Sequence, residues 1–150
     1  MGAKITVDSD ITLVTLHNAP SDMEFVATVF EDIAVLGIDI DMIALSPVQG
    51  TTTSISFTIQ DDDLMKLLSY TSKLKSKNIK PIVSSGNSII SIYDENMVNN
   101  PGVAGKIFRA IANAKTDIRI ITTSQVQVSV LVTDAVFEQA YSALSTCMDA

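Results

Sequence analysis

Asn99, Asn100, Pro101 and Gly102 carry the clearest chemical potential in this sequence. Asparagine caps helices well, proline suits the first helical position, and glycine leaves no side chain over the first turn. Backbone N–H groups at such a corner can face an anion. Asp39 and Asp117 share a repeat position, each before an apolar run, and a strand-entry aspartate is ordinary turn chemistry. The other reactive residue types read as structure. His17 is the only histidine, and a lone imidazole suits a surface or capping role better than a metal site or catalysis. Asp61-Asp62-Asp63 stand at a helix start and complement its dipole. Cys147 is the single cysteine and reads as a small, half-buried apolar residue. No paired acid and base with a nucleophile is discernible, so no catalytic residue, metal or cofactor is expected.

The elements that must position these groups occur twice. At an offset of 78 residues, Val29-Phe30 lies over Ile107-Phe108, Ile33-Ala34 over Ile111-Ala112, and Asp39-Ile40 over Asp117-Ile118. Beyond a loop five residues shorter in the second copy, Ile55-Ser56-Phe57-Thr58-Ile59 lies over Val128-Ser129-Val130-Leu131-Val132. One supersecondary unit is thus repeated. The first copy reads as a strand over 11–17, a helix capped by Ser21 or Asp22 with a stripe of Met23, Val26, Val29, Phe30, Ile33 and Leu36, and strands over 38–45 and 53–59. A second helix begins at Asp61–Asp63, and a strand over 79–84 follows. The second copy reads as a strand over 88–93, a helix from Pro101, strands over 118–122 and 126–132, and a helix after Thr133-Asp134.

The first copy is therefore βαββαβ, whereas the second stops at βαββα. An open sheet edge invites association, so a closing strand is expected from Lys4–Val7 or from another chain. Asp8-Ser9-Asp10 reads as a turn before residue 11, and Ser85-Gly86-Asn87 as the join between the copies. The expected fold class is α+β: two ferredoxin-like βαββαβ modules, each a four-stranded antiparallel sheet with both helices on one face. Module boundaries fall at 11–85 and 86–150, with 1–10 as a possible added edge strand.

Composition narrows the partners. With 47% hydrophobic residues, a net charge of −7 and few aromatic residues, the chain repels nucleic acid and offers no stacking platform. Its apolar runs fall well short of the roughly 20 residues that cross a bilayer. A soluble, cytoplasmic protein with neither nucleic-acid nor membrane partner is expected. Burial of sheet faces or edges between copies predicts a homodimer.

Pro101-Gly102-Val103, Phe108-Arg109-Ala110-Ile111 and the run from Asp117 to Val132 resemble the tandem ACT modules of the aspartokinase family, the regulatory part of the enzyme that phosphorylates aspartate. The likeness extends to Val29-Phe30, to Ile38–Ile43 and to Thr52–Thr58, and covers most of residues 11–146. It implies that an amino-acid effector, lysine or threonine, binds between modules of paired chains. By position, one pocket would set Asn99, Asn100, Gly102 and Val103 against Asp39, Ile40 and Asp41. The pseudo-symmetric pocket would set Ser21, Asp22, Glu24, Phe25 and Val26 against Lys115, Asp117 and Ile118. The family's Asp-x-Pro-Gly loop is Ser21-Asp22-Met23-Glu24 here, which puts an acidic side chain where a carboxylate would dock, so Asn99–Val103 is the better preserved corner. The family's catalytic string Lys-Phe-Gly-Gly and a phosphate-cradling glycine loop are absent, so the resemblance implies the regulatory part of an aspartate kinase, partnered by a catalytic domain or subunit. The alternative is an ACT-type dimerisation module that binds no small molecule.

Overall fold

The computed structural model describes residues 3–149. Contacts gather the chain into two units, one formed by residues 10–85 and one by residues 1–9 with 86–150. Ten regular elements build them. β1 is Lys4–Pro20, α1 Met23–Val35, β2 Ile43–Leu45, β3 Thr52–Gln60, α2 Leu64–Leu74 and β4 Lys80–Tyr93. α3 is Gly102–Asn113, β5 Ile120–Thr123, β6 Gln127–Thr133 and α4 Phe137–Asp149. β1 and β4 are long strands that contribute one part to each unit.

In the first unit the strand order is β2-β3-β1-β4, and β3 runs antiparallel to both β1 and β2. The register sets Val14 opposite Phe57 and Leu16 opposite Ile55. Because side chains alternate along a strand, these residues and Ile59 share one face. That face meets Val26, Val29 and Ile33 of α1 and Leu67 and Leu74 of α2 in a single apolar core. Burial of each such side chain contributes about 1.5–3 kcal/mol. Both helices therefore lie on the same side of the sheet.

The second unit repeats this scheme in the order β1-β4-β6-β5, with residues 4–9 as the outer strand. Ile90 stands opposite Val130, and Ile92 opposite Val128. Together they bury against Ile107 and Ile111 of α3 and Ala140 and Leu144 of α4. Ala3 and Ile5 pack on the edge of that core. The chain's own first residues thus serve as the strand that the second copy lacks.

Two polar pairs repeat along with the apolar ones. Thr12 donates its hydroxyl to Asp61 at 2.6 Å, and Ser88 donates to Asp134 at 2.9 Å. Thr15 and Ser56 share a hydrogen bond of 3.1 Å, as Ser91 and Ser129 do at 2.8 Å. The first pair ties the opening strand of each unit to the acid that begins its second helix. Thr12 and Ser88 are buried, so leaving their hydroxyls unpaired would cost desolvation. The left-handed residue that ends the first helix also repeats: Gly37, with φ 75°, occupies the place that Lys115, with φ 56°, takes in the second copy.

Several expected elements differ in the structure. The strand foreseen over 38–45 shrinks to Ile43–Leu45: just before it two residues face Thr58 alone, whose hydroxyl accepts the Met42 N–H at 2.9 Å and whose carbonyl accepts the Asp41 N–H at 3.2 Å, so the regular ladder is broken there. Ile38 and Met42 are still buried, at 5% and 4% exposure. Asp8-Ser9-Asp10 is not a turn but lies within β1, with Asp10 at φ 60°, a conformation aspartate tolerates. The join at Ser85-Gly86-Asn87 falls where the two units divide, between residues 85 and 86, but it lies inside the continuous strand β4, where Gly86 takes φ 75°. Met23 does not join the stripe of α1: it is 66% exposed. On β6, Ser129 and Leu131 are buried on the side away from the helices. No described helix is long and apolar enough to cross a membrane.

Candidate functional site

The corner before α3 is built by a chain of local hydrogen bonds. Asp94 accepts from the Asn96 N–H at 2.9 Å and starts a short 3-10 turn over Glu95–Met97. Asn99 follows at φ 59°. The Asn100 side-chain oxygen then accepts the Gly102 N–H at 3.3 Å, while its carbonyl accepts the Val103 N–H, also at 3.3 Å. Asn100 is thus the cap. The N–H groups expected to be open at Gly102 and Val103 are engaged by Asn100, and a ligand carboxylate would have to displace them. A Cβ on Gly102 would stand 3.5 Å from the Asn100 side-chain oxygen, an ordinary contact, so this position tolerates a small side chain sterically.

The equivalent corner before α1 is capped by Asp22, whose carboxylate accepts the Phe25 N–H at 2.8 Å. The Ser21 N–H goes to the Thr51 carbonyl at 3.0 Å. Glu24 is exposed, Phe25 is half-buried against the core, and Val26 belongs to the core itself. The acceptor residues follow each first helix. Asp39 and Asp117 are exposed, Ile40 and Ile118 are half-buried on their respective cores, and the Asp41 N–H donates to the Thr58 carbonyl at 3.2 Å.

The structure brings three of the foreseen residues together with others that periodicity did not single out. Asp22, Glu24 and Phe25 open onto a cleft of about 420 Å³ between α1 and α2, whose further lining includes Asp32, Tyr70 and Lys73. The signal was available in principle: Phe25, Thr28 and Asp32 recur at helical spacing along α1, and Tyr70, Lys73 and Lys77 along α2 and its continuation. Burial, the nearby Asp32 carboxylate and a hydrogen bond to it push the Tyr70 hydroxyl up to about 12. The folded chain thus holds that proton more tightly than the unfolded chain. Its contribution to stability is complete below pH 10 and is lost as the pH rises towards 12. With Tyr93 and Tyr141 replaced by phenylalanine, the ultraviolet absorbance of tyrosinate should report a Tyr70 midpoint near 12. Asp32→Asn should lower it only part of the way to 10, because burial is the larger cause.

The residues read as structural have partners that suit that role. His17 Nδ1 lies 3.2 Å from the Ser54 hydroxyl. Asp61 accepts from Thr12, and Asp63 pairs with Lys66 at 3.6 Å. Cys147 is half-buried with its sulfur 3.6 Å from the Lys106 carbonyl oxygen. Among the described residues, no three His, Cys, Asp or Glu side chains are grouped to hold a metal ion.

The family model described as the ACT domain matches residues 90–147, the strand-helix-strand-strand-helix run whose corner is described above. Residues 90–147 are an ACT domain. The chain is 31% identical to an aspartokinase of Bacillus sp. (strain MGA3) over 142 residues, which are 93% of this chain and 34% of that protein. It spans about a third of the length of the curated relatives it matches. The regulatory subunit of aspartate kinase from Thermus thermophilus superposes with a TM-score of 0.85 at 25% identity, covering 98% of this chain and 97% of that one. Aspartate kinase from Synechocystis gives 0.91 at 28% identity, with 99% of this chain and 27% of that one. The resemblance carried by Pro101-Gly102-Val103 and the run from Asp117 is thereby borne out: these 150 residues are an ACT regulatory region of the aspartokinase type and not its catalytic part. The ACT domain also meets the expected α+β class, with antiparallel strands and helices.

Proposed function

We propose that this chain is an amino-acid-sensing regulatory module of an aspartate kinase, responsive to lysine or threonine. The observation that carries this reading is the near end-to-end match to a regulatory subunit of aspartate kinase. A structure of the same fold, Escherichia coli aspartokinase III, was solved in complex with lysine and aspartate. In this reading both repeats are ACT modules, over 11–85 and 86–150. Two chains pair as a homodimer in the cytoplasm and act on an aspartokinase catalytic domain or subunit. The effector carboxylate meets the Asn99–Asn100–Gly102–Val103 corner of one chain, and Asp39, Ile40 and Asp41 of its partner receive the ammonium. The pseudo-symmetric pocket uses Ser21, Asp22, Glu24, Phe25 and Val26 with Asp117 and Ile118. It is the weaker of the two, because the Asp22 carboxylate already occupies the Phe25 N–H.

Thermal unfolding measured with each of the common amino acids tests this reading. An effector that binds only the folded chain stabilises it by about 2.7 kcal/mol at a hundred times its dissociation constant. Lysine or threonine should therefore raise the melting temperature by several degrees in a concentration-dependent way. Gly102→Leu should abolish the rise, since a branched side chain would cover the first turn of α3. Unchanged melting with all amino acids at millimolar concentration would overturn the sensor. One observation favours the second reading, an interaction module that binds nothing small: Asn100 and Asp22 already cap both helix starts. Sedimentation separates the cases further, because a concentration-independent monomer would exclude pockets shared between chains.

A further inference from the structure

The cleft between α1 and α2 shares Asp22, Glu24 and Phe25 with the weaker pocket of the regulatory reading, which leaves the rest of its lining unused. Phe25, Thr28 and Asp32 occupy one stripe of α1, and Tyr70, Lys73 and Lys77 occupy the facing stripe of α2 and its continuation. Its floor is Leu74, only 3% exposed. At about 420 Å³ it is large enough for a small organic molecule. Charges of both signs line it, yet neither Lys73 nor Lys77 forms an ion pair among the described residues, where Lys66 does so with Asp63. A simple cation would meet the lysines and a simple anion the carboxylates. A molecule that bears both charges on an apolar body matches the lining as a whole.

We propose that this cleft in the first unit is a second ligand site, which takes a small zwitterion with an aliphatic side chain. Asp32 receives the ammonium, Lys73 and Lys77 hold the carboxylate, and the aliphatic chain lies against Phe25 and Leu74. The Asp32 carboxylate is fixed in place by the Tyr70 hydroxyl beside it. Thr28, Asp32, Tyr70, Lys73 and Lys77 are not among the positions that the family resemblance assigns, so this site stands or falls independently of the Asn99–Val103 corner.

The test is an amide-resolved magnetic resonance titration of the full 150-residue chain with L-leucine. Isopentylamine and isovalerate serve as probes that carry one charge each on the same apolar body. Leucine should shift the amides of Phe25, Thr28, Tyr70 and Lys73 saturably, and either single-charge probe should bind at least about tenfold more weakly, the loss expected for one charged contact. Asp32→Asn and Lys73→Met should each weaken leucine binding by about tenfold or more, with Lys66→Met as an unaffected control. An absence of shifts in the cleft, or equal shifts with all three probes, overturns the proposal. Shifts confined to Asn99–Val103 and Asp39–Asp41 also overturn it while leaving the regulatory reading intact. Cleft shifts with leucine, but no response to lysine or threonine at that corner, support this site and count against the other.

Discussion

Phe57→Ala should cost about 3–5 kcal/mol, the range for removing a large buried aromatic side chain. Phe57 is the largest of the fully buried side chains and is 0% exposed. It sits on β3 between β1 and β2, opposite Val14 and Ile43. Phe30 of α1 meets its ring edge-on at 5.7 Å between centroids and 72° between planes, an arrangement that adds about 0.5–1.5 kcal/mol beyond burial. Truncation therefore removes the group that joins the middle of the sheet to α1, and residues on three elements would have to collapse to fill the space. For a unit of this size each kcal/mol moves the melting temperature by about 4–8 °C. The loss should be visible as a large drop in circular-dichroism melting. Phe57→Leu should recover most of it, since it keeps more of the volume. A Phe57→Ala chain that melts within a few degrees of the unmodified chain would show that the core is not centred here.

Removal of residues 1–9 should selectively destabilise the second unit. Residues 4–9 are its outer strand, and Ala3 and Ile5 pack on its core. Without them the part of β4 in that unit, which carries buried Ile90 and Ile92, loses its outer neighbour. A βαββα remnant of such small size has little apolar burial to offset the loss. Native-state hydrogen exchange should therefore speed up on β4 and β6 around Ile90 and Val130 and remain much slower on β3 around Ile55 and Phe57. Concentration-dependent association through the exposed edge should accompany it. Equal protection in both units would contradict the assignment of the first residues to the second unit.

Much of the fold was legible because it is written in local pattern. The repeat at offset 78, helix caps such as Asp22, helix-ending Gly37 and the alternation of Val128, Val130 and Val132 are all signals carried by neighbours within a few residues. Asp22 does cap α1, and the two polar pairs Thr12–Asp61 and Ser88–Asp134 recur alongside the repeated apolar pattern. Strand 38–45 failed for a non-local reason. Its residues alternate as a strand should, but Thr58, sixteen positions on, takes the Met42 N–H with its side chain. No window around Met42 contains that information. The candidate site divides in the same way. The capping chemistry of Asn99–Gly102 was readable from residue types, whereas the engagement of the Gly102 N–H by Asn100 itself required a structure.

What the sequence determined alone was the repeat, the α+β class and the aspartokinase resemblance, because each rests on periodicity or on a contiguous motif. Only the tertiary structure decided which strand closes the second unit and that Asp8–Asp10 continues a strand instead of turning. It also decided that Asp32 lines one cleft with Tyr70 and Lys73, about forty positions further along the chain. Strand pairing and groove formation bring together residues distant in sequence, and loop closure makes each such pairing an energetic competition that local propensity does not settle.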